Sequence, residues 1–159
     1  MLFRSLIHEV RPELDTFLHE LYKFEHDVPY DPNVIERRYA MLIKGIIDKN
    51  IQSRPVYVTY EIEPQYTSNY NRVPSGLAFK LFADTTYHNI QVPDFSFKPS
   101  QRNDRYSEQM VKLYAQAYTN KAIYLRLFGQ NEQSKQFLGK ALEVLPTFEG
   151  AKALQAQWR

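Results

Sequence analysis

Apolar residues recur along this chain with two different periods, and the changes of period divide it into thirds. In residues 1–53, Leu2, Phe3, Leu6, Ile7 and Val10 open a pattern with the spacing of an amphipathic helix. Pro12 followed by Glu13 reads as the first turn of a new helix, because proline's fixed φ suits that position and its missing N–H is not needed there. That helix sets Leu14, Phe17, Leu18, Leu21 and Tyr22 on one face. The run His26 to Tyr30 interrupts it. Asp31 ahead of Pro32 then predicts an N-cap and a second helix, with Ile35, Tyr39, Leu42, Ile43 and Ile46 as its stripe. Asp48-Lys49-Asn50 is its expected end, since asparagine tolerates the left-handed conformation that a helix exit often uses.

Residues 54–104 abandon the helical period. Pro55, Pro64, Pro74, Pro93 and Pro99 exclude a long helix there. Arg54 to Tyr60 is rich in β-branched and aromatic residues and predicts a strand. A tyrosine-rich loop with Tyr66 and Tyr70 follows, Pro74-Ser75-Gly76 predicts a turn, and Leu77 to Phe82 alternates as a second strand. Two strands alone are marginal in water, so flanking helices or a third strand near Asn89 to Val92 must complete the sheet.

Residues 105–159 return to the helical period and carry the sharpest local signal. Ala115 to Pro146 fits the tetratricopeptide pattern, a helix–turn–helix unit with set places for small and large residues. Tyr118 takes the early large position, Asn120 the amide two further on, and Ala122 and Leu125 packing positions. Gly129 supplies the turn, Leu138 and Ala141 the second-helix seam, and Pro146 the stop. Ser134 stands where the pattern has alanine. Such units rarely stand alone, so the hairpin is expected to pack on the rest of the domain, with Ala151, Leu154 and Trp158 in a capping helix. The expected fold is α+β and mainly helical. It is a single domain over residues 1–159, with a small sheet packed between an N-terminal helix pair and a C-terminal tetratricopeptide-like hairpin.

Composition narrows the function classes. A length of 159 residues suits one domain, and 43% hydrophobic with 24% charged residues excludes a disordered or fibrous chain. The absence of cysteine excludes disulfides, thiolate metal sites and a cysteine nucleophile, while leaving the compartment open. No apolar run reaches the roughly 18–20 residues that span a bilayer, and MLFRSLIHEV lacks the features of a secretory signal. Charge is uneven: seven basic against nine acidic residues in 1–53, five of each in 54–104, and eight against four in 105–159. A net charge of +2 gives little counterion-release drive, so no nucleic-acid partner is expected. The basic last third reads as a solvated helical surface, with a weak contact to anionic lipid as the sharper alternative.

Candidate chemistry is sparse. His8, His19, His26 and His88 have no metal-ligand spacing and read as surface or half-buried residues, so no metal and no cofactor is expected. Asp84 and His88 would pair on a helix, but Thr85-Thr86 favours a strand or loop. Glu61 and Glu63, two apart on one strand face, resemble the paired carboxylates of acid–base catalysis; the alternative is charge at a strand end facing water. Ser75 lacks a nucleophile elbow and the five glycines form no phosphate loop. Tyr57, Tyr60, Tyr66 and Tyr70 crowd between Arg54 and Arg72. Aromatic faces with arginine stack on sugars or peptides, and tyrosines in a strand also fill a sheet with their hydroxyls in water. Both readings stand at this point.

Arg54-Pro55-Val56-Tyr57-Val58, followed after the tyrosine-rich loop by Gly76-Leu77-Ala78-Phe79-Lys80-Leu81, resembles a bipartite signature of a bacterial membrane-protein family. That family, domain of unknown function 2723, is grouped with protein O-mannosyltransferase-like glycosyltransferases of the GT-C type, and its soluble C-terminal part often ends in tetratricopeptide-like helices. The resemblance covers roughly residues 33–148. It implies that the catalytic acid and the lipid-linked sugar donor site lie in a multi-spanning region outside this chain, so no catalytic residue carries over. The chain would then be a non-catalytic accessory or interaction domain on the extracytoplasmic (periplasmic) face, positioning an acceptor or partner. Its partners would be a protein or the membrane region of the parent chain, with a carbohydrate or peptide as possible ligand. A free-standing, cytoplasmic tetratricopeptide-like adaptor is the alternative, and a sugar-active enzyme using Glu61 and Glu63 is a third.

Overall fold

The helical spacing of the first third becomes two helices in the computed structural model, which describes residues 2–90 and 104–158. The first, α1 (Leu2–Glu25), runs straight through Pro12, where a new helix was expected to begin. An interior proline removes one backbone donor at a cost of about 3 kcal/mol, and the helix-forming residues on both sides carry the segment across it. Its exit is a left-handed cap. Asp27 takes φ 54°, and the Val28 N–H reaches back to the Lys23 carbonyl at 2.9 Å.

The second helix, α2 (Pro32–Asn50), starts as the sequence predicts. Asp31 caps it by accepting the Asn33 N–H at 2.9 Å, with Pro32 just inside. It ends at the expected residues by a different device. Asn50 stays out of the left-handed region: its amide nitrogen donates to the Ile46 carbonyl at 2.5 Å, and its amide oxygen accepts from Arg54 Nε at 2.6 Å. The exit is held by side-chain hydrogen bonds. α1 and α2 pack on each other, and Phe17 and Tyr39 meet at 6.1 Å between ring centroids.

A three-stranded sheet follows, from β1 (Val56–Thr59), β2 (Asn71–Ser75) and β3 (Ala78–Phe82), in the order β1-β3-β2. The third strand is Asn71–Ser75, where a loop running into a turn was expected. Residues 89–90 form no strand, and 91–92 lie outside the described residues. Pro74 misled because it punctuates turns. In an outer strand its missing N–H points away from the ladder and removes nothing. β2 and β3 are antiparallel with Arg72 opposite Leu81 and Pro74 opposite Phe79, and the turn sits one residue later, on Gly76 at φ 63°. Val73 and Leu81 are buried.

The last third forms α3 (Arg105–Leu127), α4 (Asn131–Val144) and α5 (Glu149–Gln157). Asp104 caps α3 through the Ser107 N–H at 2.8 Å. Gly129, at φ 75°, ends it in a left-handed turn, and the Gln130 N–H closes on the Leu125 carbonyl at 2.9 Å. Ala122, Leu138 and Ala141 form the seam between α3 and α4, joined by Ala151 of α5, with Tyr118, Phe148, Leu154 and Trp158 packed around them. Small residues at 122, 141 and 151 let three helices approach closely. Ser134 is fully buried, and its hydroxyl donates to the Ala122 carbonyl at 2.8 Å.

The fold is therefore α+β and mainly helical. Its contacts gather into two compact units, Met1–Val56 with Ile62–Tyr70 and Tyr57–Glu61 with Asn71–Arg159. The first holds α1, α2 and a short 3-10 turn at Pro64–Thr67; the second holds the sheet beyond Val56 and α3 to α5, with α3 packed on β2. Among the described residues, no helix is long and apolar enough to cross a membrane.

Candidate functional site

The six residues proposed for binding divide between the units. Tyr57, Tyr60 and Arg72 belong to the second, and Arg54, Tyr66 and Tyr70 to the first.

In the second unit, Tyr60 leaves the end of β1 half-buried, and its hydroxyl donates to the Gly76 carbonyl at 2.5 Å. The side chain of Asn120 on α3 also stands beside this hydroxyl. Its ring meets Phe79 edge-on at 4.7 Å, and the Arg72 guanidinium lies 4.3 Å from the same Phe79 ring. These contacts bind β1, the Gly76 turn and β3 together. Burial pushes the Tyr60 phenol well above its ordinary value and lowers the Arg72 guanidinium, which nevertheless stays charged at any physiological pH. Arg72 Nε is buried and has no hydrogen-bond partner among the described residues. Tyr57 lies apart from this cluster, 53% exposed on β1.

In the first unit, Arg54 is engaged with Asn50, and the Tyr70 hydroxyl donates to Asp48 Oδ1. Lys44 Nζ stands 3.0 Å from the other Asp48 oxygen. The Tyr70 hydroxyl first, and Lys44 second, hold the Asp48 carboxyl below its ordinary value. Tyr66, on the 3-10 turn, meets Tyr39 edge-on at 5.3 Å, and Phe24 meets Tyr30 edge-on at 5.1 Å. These four rings and Phe17 line an open groove of about 410 Å³. Leu21, Pro32 and Ile35 complete its apolar walls, and among the described residues Glu36 is the only charged one lining it. Loss of hydration, then the Glu63 and Glu36 carboxylates, raise the Tyr66 phenol above its ordinary value.

The groove was half legible. The apolar faces around Phe17, Leu21, Ile35 and Tyr39 are the predicted helix stripes. Phe24 and Tyr30 were missed because they flank the helix exit, where the sequence announces only an interruption. Tyr66 was grouped with its neighbours in sequence, whereas its ring partner is Tyr39, on another element.

The remaining candidates resolve as follows. Neither Glu61 nor Glu63 lies in a strand, because β1 ends at Thr59; both are exposed, and Glu63 accepts from Gln65 Nε2. The expectation of two carboxylates on one strand face is corrected accordingly. His19 is exposed, and His26 stacks on Tyr22 at 3.9 Å with Nδ1 2.8 Å from the Tyr22 carbonyl. Asp84 and His88 do pair, at 2.8 Å, without a helix. Asp84 Oδ1 also accepts the Thr86 N–H at 2.9 Å, so an Asx turn brings His88 back to it. The Thr86 hydroxyl and N–H, then His88, hold the Asp84 carboxyl down at about 2. The His88 ring stacks on Phe82 at 3.6 Å, and the His88 N–H donates to the Tyr124 hydroxyl at 2.7 Å. Sequence reading passed over Tyr124, whose phenol holds this segment from α3.

Among the described residues, no three metal-ligating side chains converge. In comparisons with known proteins, no family model, no curated protein and no solved structure matches this chain.

Proposed function

We propose that this chain is a non-catalytic accessory domain that binds protein segments for a multi-spanning, glycosyltransferase-like membrane protein on the extracytoplasmic face of a bacterial membrane. The observation that carries the reading is the placement of the two halves of the bipartite signature. Val56 to Val58 and Ala78 to Leu81, the strand-forming parts of the two halves, lie some twenty residues apart in sequence, yet they fall on the neighbouring strands β1 and β3, joined again by the hydrogen bond from Tyr60 to Gly76. A signature that folds into one sheet is a structural unit, as the resemblance requires of a domain shared within a family. The aromatic groove of the first unit supplies a surface able to hold a polypeptide. The second reading, a free-standing adaptor, is favoured by the α3–α4–α5 core, built on the tetratricopeptide seam.

Two measurements test the proposal. The purified chain, given a lipid-linked sugar donor and an acceptor protein, is expected to transfer no sugar; turnover by the chain alone would refute it. A photo-crosslinking residue at the exposed position 57 or 106, introduced into the native gene product in bacteria, is expected to mark a multi-spanning glycosyltransferase-like polypeptide. Cross-links confined to cytosolic proteins would establish the adaptor instead.

A further inference from the structure

The groove between α1 and α2 displays aromatic side chains that a folded domain ordinarily covers. Phe24 is 52% exposed, Tyr39 40% and Tyr30 39%, all on one groove of the first unit. Exposed apolar surface gathered in one place marks an interaction site far more often than the same residues scattered singly.

The hydroxyls of these tyrosines differ from those that hold the fold together. Tyr60 donates to the Gly76 carbonyl, Tyr70 to Asp48, and Tyr124 accepts from the His88 N–H. The hydroxyls of Tyr30, Tyr39 and Tyr66 make no hydrogen bond to another described residue. The groove therefore combines apolar ring faces with three unengaged phenols. An α-helix satisfies its own backbone and has no use for donors along a groove. An extended segment in the polyproline conformation has no internal hydrogen bonds, so its carbonyls need partners, and its pyrrolidine rings lie flat on aromatic faces.

Charge selects further. Among the described residues, Glu36 is the one charged lining residue, and Glu63 adds a second carboxylate close enough to act on Tyr66. Among the described residues, no basic side chain lines the groove. A basic side chain on the incoming segment would find complementary charge at this edge, whereas an acidic one would be repelled.

We propose that this groove docks an extended, proline-containing polypeptide segment that carries a lysine or arginine beside its apolar anchor. The proposal rests on the reading of the chain as an interaction domain and names what that domain binds.

Fluorescence anisotropy on the full chain tests it with three labelled synthetic probes. The first is a proline-rich decapeptide with two arginines. The second has glutamates in place of those arginines, and the third is an amphipathic leucine–lysine helix of equal positive charge. The first probe is expected to bind at least roughly tenfold more tightly than either of the others. Glu36→Gln and Tyr39→Ala are each expected to weaken it several-fold, with unchanged circular dichroism, while Glu132→Gln on α4 leaves it unaffected. Equal or tighter binding of the helix, equal binding of the acidic probe, or indifference to Glu36→Gln overturns the proposal. Binding of none of the probes overturns it too, as does a dimer in sedimentation that Tyr39→Ala dissociates, since the groove would then belong to a second copy. The cross-linking at positions 57 and 106 does not involve the groove, so failure here leaves the accessory-domain reading to be judged separately.

Discussion

The hydroxyl of Ser134 hydrogen-bonds the carbonyl oxygen of Ala122 at 2.8 Å across the seam between α3 and α4, with Ser134 itself fully buried. The departure from alanine at this position is thereby satisfied: the buried polar atom has a partner, and the small side chain preserves the close approach of the helices. Ser134→Ala removes the bond but orphans nothing, since the Ala122 carbonyl also serves α3. The expected loss is about 0.5–1.5 kcal/mol, read as a lower denaturation midpoint at unchanged slope. Ser134→Leu overpacks the seam and is expected to cost more, roughly 1–3 kcal/mol. Equal stability of wild type and Ser134→Leu would show that the seam is loosely packed.

Two glycines of the hairpin should respond oppositely to the same substitution. A methyl group at either Gly129 or Gly139 meets no atom within 4 Å, so space decides neither case. Gly129 has φ +75°, a conformation an L-residue adopts at a cost of about 1–2 kcal/mol. Gly139 lies inside α4 with no such constraint. Gly129→Ala is therefore expected to lower the thermal midpoint. Gly139→Ala is expected to raise stability by about 0.5–1 kcal/mol, because alanine gives up less backbone freedom on entering a helix. Two shifts of the same sign would contradict this account.

The Asp84 turn should be sensitive to acid. Its carboxyl is held at about 2 against an ordinary 3.8 by Thr86 first and His88 after it. A carboxyl whose folded value is depressed contributes stability that is complete above its unfolded value and lost as pH falls through the folded one. The turn from Asp84 to His88 is therefore expected to persist down to pH 4 and open as pH approaches 2. A carbon-detected NMR titration of the Asp84 carboxyl, with Asp84→Asn as the reference, reads this directly. A midpoint near 3.8 would mean that the Thr86 hydrogen bonds contribute nothing in solution.

How far the candidate site was legible depends on where its partners sit in sequence. Tyr60 and Tyr70 were singled out for their crowding, yet their hydroxyls go to Gly76 and Asp48, sixteen and twenty-two residues away. Crowding in sequence thus said nothing of which phenols are engaged. The three that line the groove came from three places: the loop before α2, α2 itself and the 3-10 turn. Only Tyr39 lay on a predicted stripe.

The sequence by itself determined α2 to α5, the capping residues Asp31 and Gly129, the first and last strands of the sheet, and the Ala122–Leu138–Ala141 seam. Most of these are decided by residues close in sequence, where periodicity, a fixed φ or a side-chain cap acts locally, and the seam was legible because its spacing follows a repeat pattern. Tertiary structure alone decided that α1 passes through Pro12, that Pro74 belongs to a strand, that Asp84 and His88 meet in a loop, and that five aromatic rings open onto one groove. For Pro74 and the groove rings, the outcome depends on what packs against the residue from a distant part of the chain; for Pro12 and the Asp84 turn, it depends on which of several local conformations the fold keeps. A proline's missing donor matters little at a sheet's edge, and a tyrosine's role follows from whether a far carbonyl or carboxylate reaches its hydroxyl.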